Sequence, residues 1–286
     1  MKIAITGATG QLGQLVIQVL LKNTTANQIV ALVRNPNKAQ QLKDQGIELR
    51  HFDYDQAETL VPALKGIDKL LLISANEIGR RTPQHQAVIE AAVQANVPYI
   101  TYTSLLRADS SKLGLAQEHR ETEALIQNSG LKYTFLRNNW YNENYLGNLT
   151  HTVETGTLFG AAQNGKISSA ARQDYAEATA KVLLSEGHDQ KIYELAGSNS
   201  FTLEQLAGFI SKASGKTVTY SNLSAEDYTQ GLKQAGLPDG LIEVIVDADV
   251  QTARGGMYSE RQDLQQLLGR ATTPIQAQIA ALLKTQ

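Results

Sequence analysis

The chain has 286 residues, a length that suits one large α/β domain with an added lobe or two modest domains. Its 26 Lys and Arg residues nearly balance its 28 Asp and Glu residues, giving a formal net charge of -2, so no basic surface indicates nucleic-acid binding. Cysteine is absent, which excludes disulfides, thiolate zinc sites and cysteine nucleophiles.

The first half of the chain alternates short apolar runs with amphipathic stretches. Strands are predicted at residues 3–6, 29–34, 47–52, 69–73, 99–103 and 133–136. Such alternation is typical of βαβ units around a parallel sheet. We therefore predict an α/β fold with a Rossmann-type doubly wound parallel sheet.

Helix-start signals fall between these strands. Asn35 and Thr82 are each followed by proline, which predicts an N-cap with proline at the first helical position. Asp55, with an acidic residue three positions later, predicts a variant of the capping box. Gly130 predicts the end of the helix before the sixth strand.

After about residue 140 the pattern loosens. A helix over 174–185 and a strand over 192–195 are expected to return to the sheet, and Thr202, Ser224 and Gly215 predict two further helix starts and a helix stop. We expect one domain over residues 1–150, with about 174–197 packing back onto it. Residues 151–286 then form a small, mostly helical C-terminal lobe.

The sequence also limits the partners and the location of the protein. No apolar segment approaches the length of a membrane-spanning helix, and the first residues read as a strand without a signal-peptide pattern. Five scattered histidines and no cysteine predict no metal site. We expect a cytoplasmic protein without membrane insertion, whose oligomeric state the sequence leaves open.

A glycine-rich turn follows the first strand and opens an amphipathic helix. Glycine lets such a turn close tightly and lets backbone N–H groups approach a pyrophosphate, to which the helix N-terminus adds partial positive charge. The position of the turn, at the first strand–helix junction of a βαβ series, makes a dinucleotide site the favoured interpretation. The residues that we expect to hold the cofactor here are Gly7, Thr9, Gly10, Gln11, Leu12 and Gly13.

The end of the second strand favours NADPH over NADH. An NAD site usually places Asp or Glu there to bind the ribose 2′-hydroxyl, but this chain has Arg34 and no acid before Asp44. The Arg34 guanidinium can hold a 2′-phosphate through charge-assisted hydrogen bonds, with Lys38 nearby. The alternative is that Arg34 is a solvated charge at a strand end.

Polar residues also follow the fourth and sixth strands, where ligands of such folds sit. Ser74 is expected to border the cofactor, and Asn76 and Glu77 the substrate. Asn138 and its neighbours occupy the corresponding place after the sixth strand. Of these neighbours, Trp140 could stack on a substrate ring or could act only as a hinge between lobes.

The proton relay of ordinary short-chain dehydrogenases is missing. None of the eleven tyrosines has lysine four residues later, which is the spacing of the pair that exchanges a proton with the substrate oxygen. In its place the helix after the fifth strand carries His119 and Glu123 on one face. His119 is a candidate proton donor, although the spacing favours a purely structural pair of the two side chains.

Several stretches of the chain resemble the NmrA-like branch of atypical short-chain dehydrogenases. The resemblance is carried by residues 5–13, 33–36, 102–104, 119–123 and 133–141, and it extends through 165–170 and 191–197. It implies a Rossmann domain with a smaller substrate-capping lobe, and a 2′-phosphate bound by Arg34. The loop from Asn138 to Glu143 would line the nicotinamide end, with Asn138 on the cofactor. The implied substrate residues are Asn139, Trp140, Tyr141 and Glu143.

Together these features predict an NADPH-dependent reductase that transfers hydride directly to a quinone. Quinones accept hydride readily, so placement beside the nicotinamide can suffice without a strong acid. Tyr141 and His119 are the catalytic candidates, with the proton coming from His119 or water. Reduction of a conjugated cationic dye, or an NADP-binding redox sensor without turnover, are the alternatives.

Overall fold

A computed structural model describes residues 1–284 of the chain. The strands are β1 (Ile3–Ile5), β2 (Ile29–Val33), β3 (Glu48–His51), β4 (Lys69–Leu72), β5 (Tyr99–Leu105), β6 (Lys132–Asn138), β7 (Thr157–Gly160), β8 (Lys191–Leu195) and β9 (Thr219–Asn222). The helices are α1 (Gln11–Leu21), α2 (Gln40–Asp44), α3 (Ala57–Leu64), α4 (Arg81–Gln94), α5 (Ala116–Asn128), α6 (Asn142–Leu146), α7 (Leu149–Thr155), α8 (Arg172–Leu184), α9 (Leu203–Ser214), α10 (Ala225–Gln234), α11 (Asp239–Ala253), α12 (Asp263–Leu268) and α13 (Ile275–Lys284). Two 3-10 turns span Ala26–Gln28 and Pro36–Ala39.

The central sheet has seven strands in the order β3-β2-β1-β4-β5-β6-β8. Neighbouring strands from β3 to β6 pair in parallel. All residues of β1 and β2 are buried, as expected for parallel strands covered on both faces. The order reverses on the two sides of β1, so the predicted Rossmann-type α/β fold is confirmed.

One hydrophobic cluster lies against this sheet. It joins side chains of β1, β2, β4, β5 and β6 to those of α3, α4 and α5. Tyr102 and Phe135 are fully buried in it, with their rings edge to face at a centroid distance of 6.3 Å. These five strands and three helices therefore share one continuous hydrophobic core.

The helix starts agree only in part with the sequence signals. Asn35 accepts a hydrogen bond from the Asn37 N–H, and Thr202 forms the expected capping box with Gln205. The predicted caps at Thr82 and Asp55 are wrong. α4 already begins at Arg81, where another helix supplies the cap, and α3 begins at Ala57 without a side-chain cap.

The chain divides into two compact units that each include several segments. The first contains residues 1–109, 117–138 and 175–194, and the second contains 110–116, 139–174 and the described residues from 195 onward. The second unit is mostly helical but includes a two-stranded parallel sheet of β7 and β9. The sequence pattern does not predict these two strands, which are short and follow glycine-rich or polar stretches.

The helices of the described residues are short. The longest of them, α11, has 15 residues. Among residues 1–284, no helix combines the length and the apolar character that crossing a membrane requires.

Candidate functional site

The glycine-rich turn lies at the carboxyl end of β1. α1 begins at Gln11 with Gly10 as its N-cap and without a side-chain cap. The first N–H groups of a helix have no acceptor within the helix, so they are available to an anion. Gly7 has a φ of +59°, and a Cβ at Gly13 would lie 2.2 Å from the Gly7 carbonyl oxygen. The turn therefore closes only with glycine at these positions.

Arg34 follows β2 and meets Glu77 from the loop after β4. The Arg34 Nη1 lies 3.6 Å from the Glu77 Oε1. The other Glu77 oxygen accepts hydrogen bonds from Arg80, at 3.0 Å, and from Gln84, at 3.1 Å. The structure thus places Glu77, which the sequence suggested for the substrate, against the predicted phosphate ligand.

The loop after β4 is held by buried side chains of the same unit. The Ser74 N–H donates to Thr103 Oγ1 at 2.9 Å, and the Ala75 N–H donates to His85 Nε2 at 3.0 Å. A backbone N–H can only donate, so His85 is neutral, with its proton on Nδ1 toward Thr122 Oγ1. Burial, together with the nearby Arg81 charge, lowers the pKa of His85 to about 3.

Glu118 of α5 caps the start of α4. Its Oε1 accepts hydrogen bonds from the N–H groups of Gly79 and Arg81 at 3.1 and 3.0 Å. The Arg81 side chain returns to the same carboxylate at 3.4 Å and to the Ala75 carbonyl at 2.8 Å. These contacts order the loop that carries Ser74, Asn76 and Glu77.

Asn138, the last residue of β6, has a buried side-chain amide. Among the described residues, neither its Oδ1 nor its Nδ2 has a hydrogen-bond partner. A buried polar group normally has a partner, and an unpaired one costs about 1–3 kcal/mol. An amide that offers one acceptor and two donors suits a bound polar group at this strand end.

His119 lies in the core, with 5% of its surface exposed. Its Nδ1 is 2.7 Å from the Tyr102 hydroxyl. Burial lowers the pKa of His119 well below its ordinary value, and the Arg81 charge acts in the same direction. The imidazole is therefore neutral at neutral pH.

Glu123 forms a buried ion pair with Arg137 instead of pairing with His119. Its Oε1 and Oε2 accept from the Arg137 Nε and Nη2 at 2.9 and 2.7 Å, and its Oε1 also accepts from Ser104 Oγ. The expected His119–Glu123 pair is wrong for a physical reason. The Arg137 guanidinium donates two charge-assisted hydrogen bonds to the carboxylate, and these are stronger than one from the neutral His119 imidazole.

Asn139 begins the part of the predicted loop that belongs to the second unit. Its Nδ2 donates to the carbonyls of Ser168 and Met257 at 2.9 and 3.0 Å. Within residues 1–284 its buried Oδ1 has no partner. The amide nitrogen thus fixes the backbone, while the oxygen remains available for a further hydrogen bond.

Tyr141 is half-buried beside Arg172. The Arg172 guanidinium carbon lies 4.5 Å from the centre of the Tyr141 ring, a cation–π contact. Glu143 accepts hydrogen bonds from the Arg172 N–H at 3.0 and 3.1 Å and from Gln278 Nε2 at 3.1 Å. Trp140 is half-buried, and its carbonyl accepts from the Ala170 N–H at 3.2 Å. These contacts fix the loop backbone and one face of the Tyr141 ring.

The residues that order the first-unit site gave no sequence signal of this role. His85, Arg81 and Glu118 are polar residues on helices, and such residues are mostly exposed. A histidine near a helix start looks the same in sequence whether it is solvated or buried. Only the packing of α4 and α5 shows that they hold the loop after β4.

The first-unit site fits a dinucleotide. It combines a glycine cradle that a Cβ would fill at Gly13, an uncapped helix start, an exposed arginine at the end of β2 and an orphaned amide at Asn138. These are the groups that a pyrophosphate, a ribose phosphate and a carboxamide require. Among the described residues, no group of three His, Asp or Glu side chains could hold a metal ion.

Comparisons with known proteins agree along almost the whole chain. The model of the NmrA-like family matches residues 1–271. Quinone oxidoreductase 2 of Escherichia coli (strain K12) is 52% identical over 280 residues, which cover 98% of this chain and 98% of that protein.

Solved structures give the same picture. The crystal structure of the E. coli NADPH-dependent quinone oxidoreductase QOR2 complexed with NADPH superposes with a TM-score of 0.96, at 52% identity, over 98% of this chain and 99% of that chain. The structure of Citrobacter sp. triphenylmethane reductase has the same TM-score of 0.96 at 39% identity, over 99% of this chain and 100% of that chain.

Proposed function

This chain belongs to the NmrA-like family, and we propose that it catalyses the NADPH-dependent reduction of quinones by direct hydride transfer. One observation carries the proposal. The chain shares 52% identity, over 98% of both chains, with Quinone oxidoreductase 2 of E. coli, and the matching structure of that enzyme contains NADPH. The glycine turn and Arg34 supply the corresponding chemistry here.

When bound, NADPH supplies a hydride from C4 of its nicotinamide. The quinone gains this hydride and one proton to become a hydroquinone, and NADPH becomes NADP⁺. The chain binds the two reactants and orients them, because placement beside the donor accounts for much of such a rate enhancement.

We propose that cofactor binding rests on the first-unit site. Backbone N–H groups at the start of α1 bind the pyrophosphate, Arg34 binds the 2′-phosphate, and Ser74 and Asn138 bind the nicotinamide half. The turn residues with this role are Gly7, Thr9, Gly10, Gln11, Leu12 and Gly13. In this proposal residues 1–150, with about 174–197 packing back onto them, form the cofactor-binding part of the chain, and residues 151–286 form the substrate-capping part.

We propose that the substrate ring is held by polar and aromatic residues. Tyr141 positions the ring for hydride transfer, and Arg172 keeps the tyrosine in place through the contact described above. The other proposed substrate residues are Asn76, Asn139, Trp140 and Glu143, whereas Glu77, which the sequence suggested for the substrate, faces Arg34 instead.

The proton has two sources in this proposal, water and His119. A neutral His119 that accepts from the Tyr102 hydroxyl on Nδ1 would carry its proton on Nε2, so it is a donor only in that tautomer. Its burial favours water as the main source. The role of His119 is therefore a prediction that mutation must test.

The test is a spectrophotometric assay of NADPH oxidation with a panel of quinones. We expect turnover with at least one quinone and a much lower rate with NADH. Binding of NADPH without oxidation by any quinone in the panel would contradict the proposal and favour an NADP-binding sensor.

A second candidate activity is the reduction of cationic dyes. It is favoured by the 39% identity and the TM-score of 0.96 with Citrobacter sp. triphenylmethane reductase. The same assay with a triphenylmethane dye distinguishes the two. Faster turnover of the dye than of every quinone would make dye reduction the better description.

The composition supports our proposals on the location and the partners of the protein. A near-neutral net charge of -2 and the absence of cysteine favour a cytoplasmic protein that acts on a small molecule and has no nucleic-acid partner. Cell fractionation tests the location.

A further inference from the structure

We infer that Glu77 is an internal competitor of the 2′-phosphate of NADPH. Its carboxylate binds two guanidinium groups, those of Arg34 and Arg80, and we infer that both also bind the phosphate. Arg80 is then a second specificity residue for the cofactor, and Glu77 sets how strongly the phosphate must bind to displace it. This inference rests on the proposed function, because it takes NADPH as the cofactor.

The Glu77 carboxylate contacts two guanidinium groups at once. Its Oε1 faces Arg34 Nη1 at 3.6 Å, and its Oε2 accepts from Arg80 Nη1 at 3.0 Å and from Gln84 Nε2 at 3.1 Å. One anion thus bridges two guanidinium groups. A phosphate is also an anion with several acceptor oxygens, and arginine binds both groups with the same fork of N–H donors.

The Arg34–Glu77 pair lies at the carboxyl ends of the central strands. Arg34 directly follows β2, and Glu77 lies five residues beyond the end of β4. β1 lies between these two strands, so the Arg34–Glu77 pair crosses the carboxyl end of β1, where the glycine turn begins. The 2′-phosphate of a dinucleotide on that turn belongs at the end of β2.

Arg80 lies three residues after Glu77 in the same loop and extends further across the sheet. Its Nη2 donates to Asp55 Oδ1, in the loop after β3, at 2.5 Å. Residues 77–80 therefore extend from the β4 side across to the loops after β2 and β3. Arg80 is the closer of the two guanidinium groups on Glu77, at 3.0 Å against 3.6 Å for Arg34, and its contact with Asp55 puts it on the β3 side of the glycine turn.

The 2′-phosphate is a stronger ligand for these arginines than the Glu77 carboxylate. The side chains of Arg34 and Arg80 are 71% and 58% exposed, so their ion pairs with Glu77 are accessible and weak. A phosphate monoester carries about -1.5 to -2 charges and three strong acceptors, against -1 for a carboxylate. NADPH can therefore displace Glu77, whereas the ribose 2′-hydroxyl of NADH lacks the charge to do so.

The experiment measures dissociation constants by calorimetry for NADPH and NADH, with adenosine 2′,5′-bisphosphate and AMP as fragment probes. Glu77→Gln keeps the shape of the side chain but removes its charge, and the exposed Glu90→Gln of α4 is the matched control. Removing an exposed ion pair is expected to change a dissociation constant by up to about fivefold. We expect Glu77→Gln to bind NADPH and the bisphosphate about threefold to fivefold more tightly, with NADH and AMP changed by less than about twofold.

Two further variants test competition directly. Arg80→Gln should weaken NADPH about threefold to fivefold and leave NADH nearly unchanged, whereas the control Arg261→Gln should change neither. In an Arg34→Gln background, Glu77→Gln should give a smaller gain than in the wild type. An equal gain in both backgrounds, weaker NADPH binding by Glu77→Gln, or an Arg80→Gln protein with wild-type affinity would overturn the inference.

Failure of this inference differs from failure of the proposed function. If the wild type oxidises NADPH with a quinone while Glu77→Gln and Glu90→Gln bind it equally, only the competition is wrong. If the wild type binds neither dinucleotide, the proposed function and the inference are both wrong.

Discussion

Arg34 stands where an NADH-specific domain would carry an acidic residue. Its side chain is exposed at the end of β2, and within residues 1–284 its ion pair is a long one, 3.6 Å, to Glu77. An accessible guanidinium of this kind is suited to a charged ligand, because breaking a buried internal ion pair would cost more free energy.

We predict that Arg34→Asp changes the cofactor preference. The substitution replaces a phosphate ligand by a repelling carboxylate, so NADPH binding should weaken by about 1.5–3 kcal/mol, or about tenfold to a hundredfold. NADH binding should change much less. Calorimetric titration of both cofactors tests this, with the exposed Arg261→Asp as control. Equal wild-type affinities for NADPH and NADH would contradict the assignment.

His119 is the residue whose role depends most on its surroundings. It is buried, neutral and in contact with Tyr102, while the Glu123 carboxylate is taken by Arg137. Its proton on Nε2 can reach a ligand only if the imidazole is accessible to it.

We predict that His119→Ala lowers quinone turnover only modestly, because water can protonate a hydroquinone anion. Tyr141→Ala should lower it more, through misplacement of the ring. Single-turnover NADPH oxidation at saturating quinone is the measurement. A loss of about a hundredfold for His119→Ala, with Tyr141→Ala unaffected, would instead identify an obligatory general acid.

The junction between β1 and α1 shows how an element constrains the site. Gly7 takes a left-handed conformation, and the Gly13 Cα approaches the Gly7 carbonyl so closely that no Cβ fits. The same close approach brings the helix N-terminus to the carboxyl end of the strand.

We predict that Gly13→Ala both destabilises the protein and weakens NADPH binding. The methyl group would meet backbone atoms that cannot rotate away, at a cost of roughly 1–3 kcal/mol. Gly208→Ala is the control, because that exposed position in α9 has no atom within 4 Å of a new Cβ. It should leave binding unchanged and stabilise α9 by up to about 1 kcal/mol. Urea unfolding and NADPH titration of both variants test this. Wild-type stability and NADPH affinity in Gly13→Ala would contradict the prediction.

A second element-scale prediction concerns the link between α4 and the loop after β4. The pKa of His85 is about 3 in the folded protein, below its ordinary value of 6.5. Between these values the unfolded chain binds a proton that the folded chain does not, so the free energy of unfolding falls as pH falls. From pH 6.5 to 5.5 this histidine should account for a loss of about 1 kcal/mol.

Urea unfolding at the two pH values tests this. His85→Gln should reduce the loss by about that amount, whereas the exposed His151→Gln should keep it. The same loss in the wild type and His85→Gln would show that His85 does not control it.

At the scale of the whole molecule, activity is expected to need no metal. The chain has no cysteine, and its histidines are scattered along the sequence. Turnover should survive exhaustive dialysis against EDTA. A loss that added zinc restores would contradict this prediction.

The sequence by itself determined the fold class and NADPH as the cofactor, whereas the residues that it names for the cofactor site stay a prediction. Apolar strands, intervening helices and the glycine turn are local patterns, and each agrees with the others. The first six strands were therefore predicted to within about two residues at each end. The place of Arg34 after β2 also follows from chain order, because parallel strands bring their carboxyl ends to one edge.

Only the tertiary structure decided which side chains meet. Glu77 contacts Arg34 because β2 and β4 flank β1. Glu123 of α5 pairs with Arg137 of β6 and not with His119, because the fold brings this strand residue to the helix. His85 became a buried acceptor for the Ala75 N–H, although its sequence neighbourhood suggested only a helix start. Such pairs join residues far apart in sequence, and their choice depends on burial and on competition between partners, which local patterns do not encode.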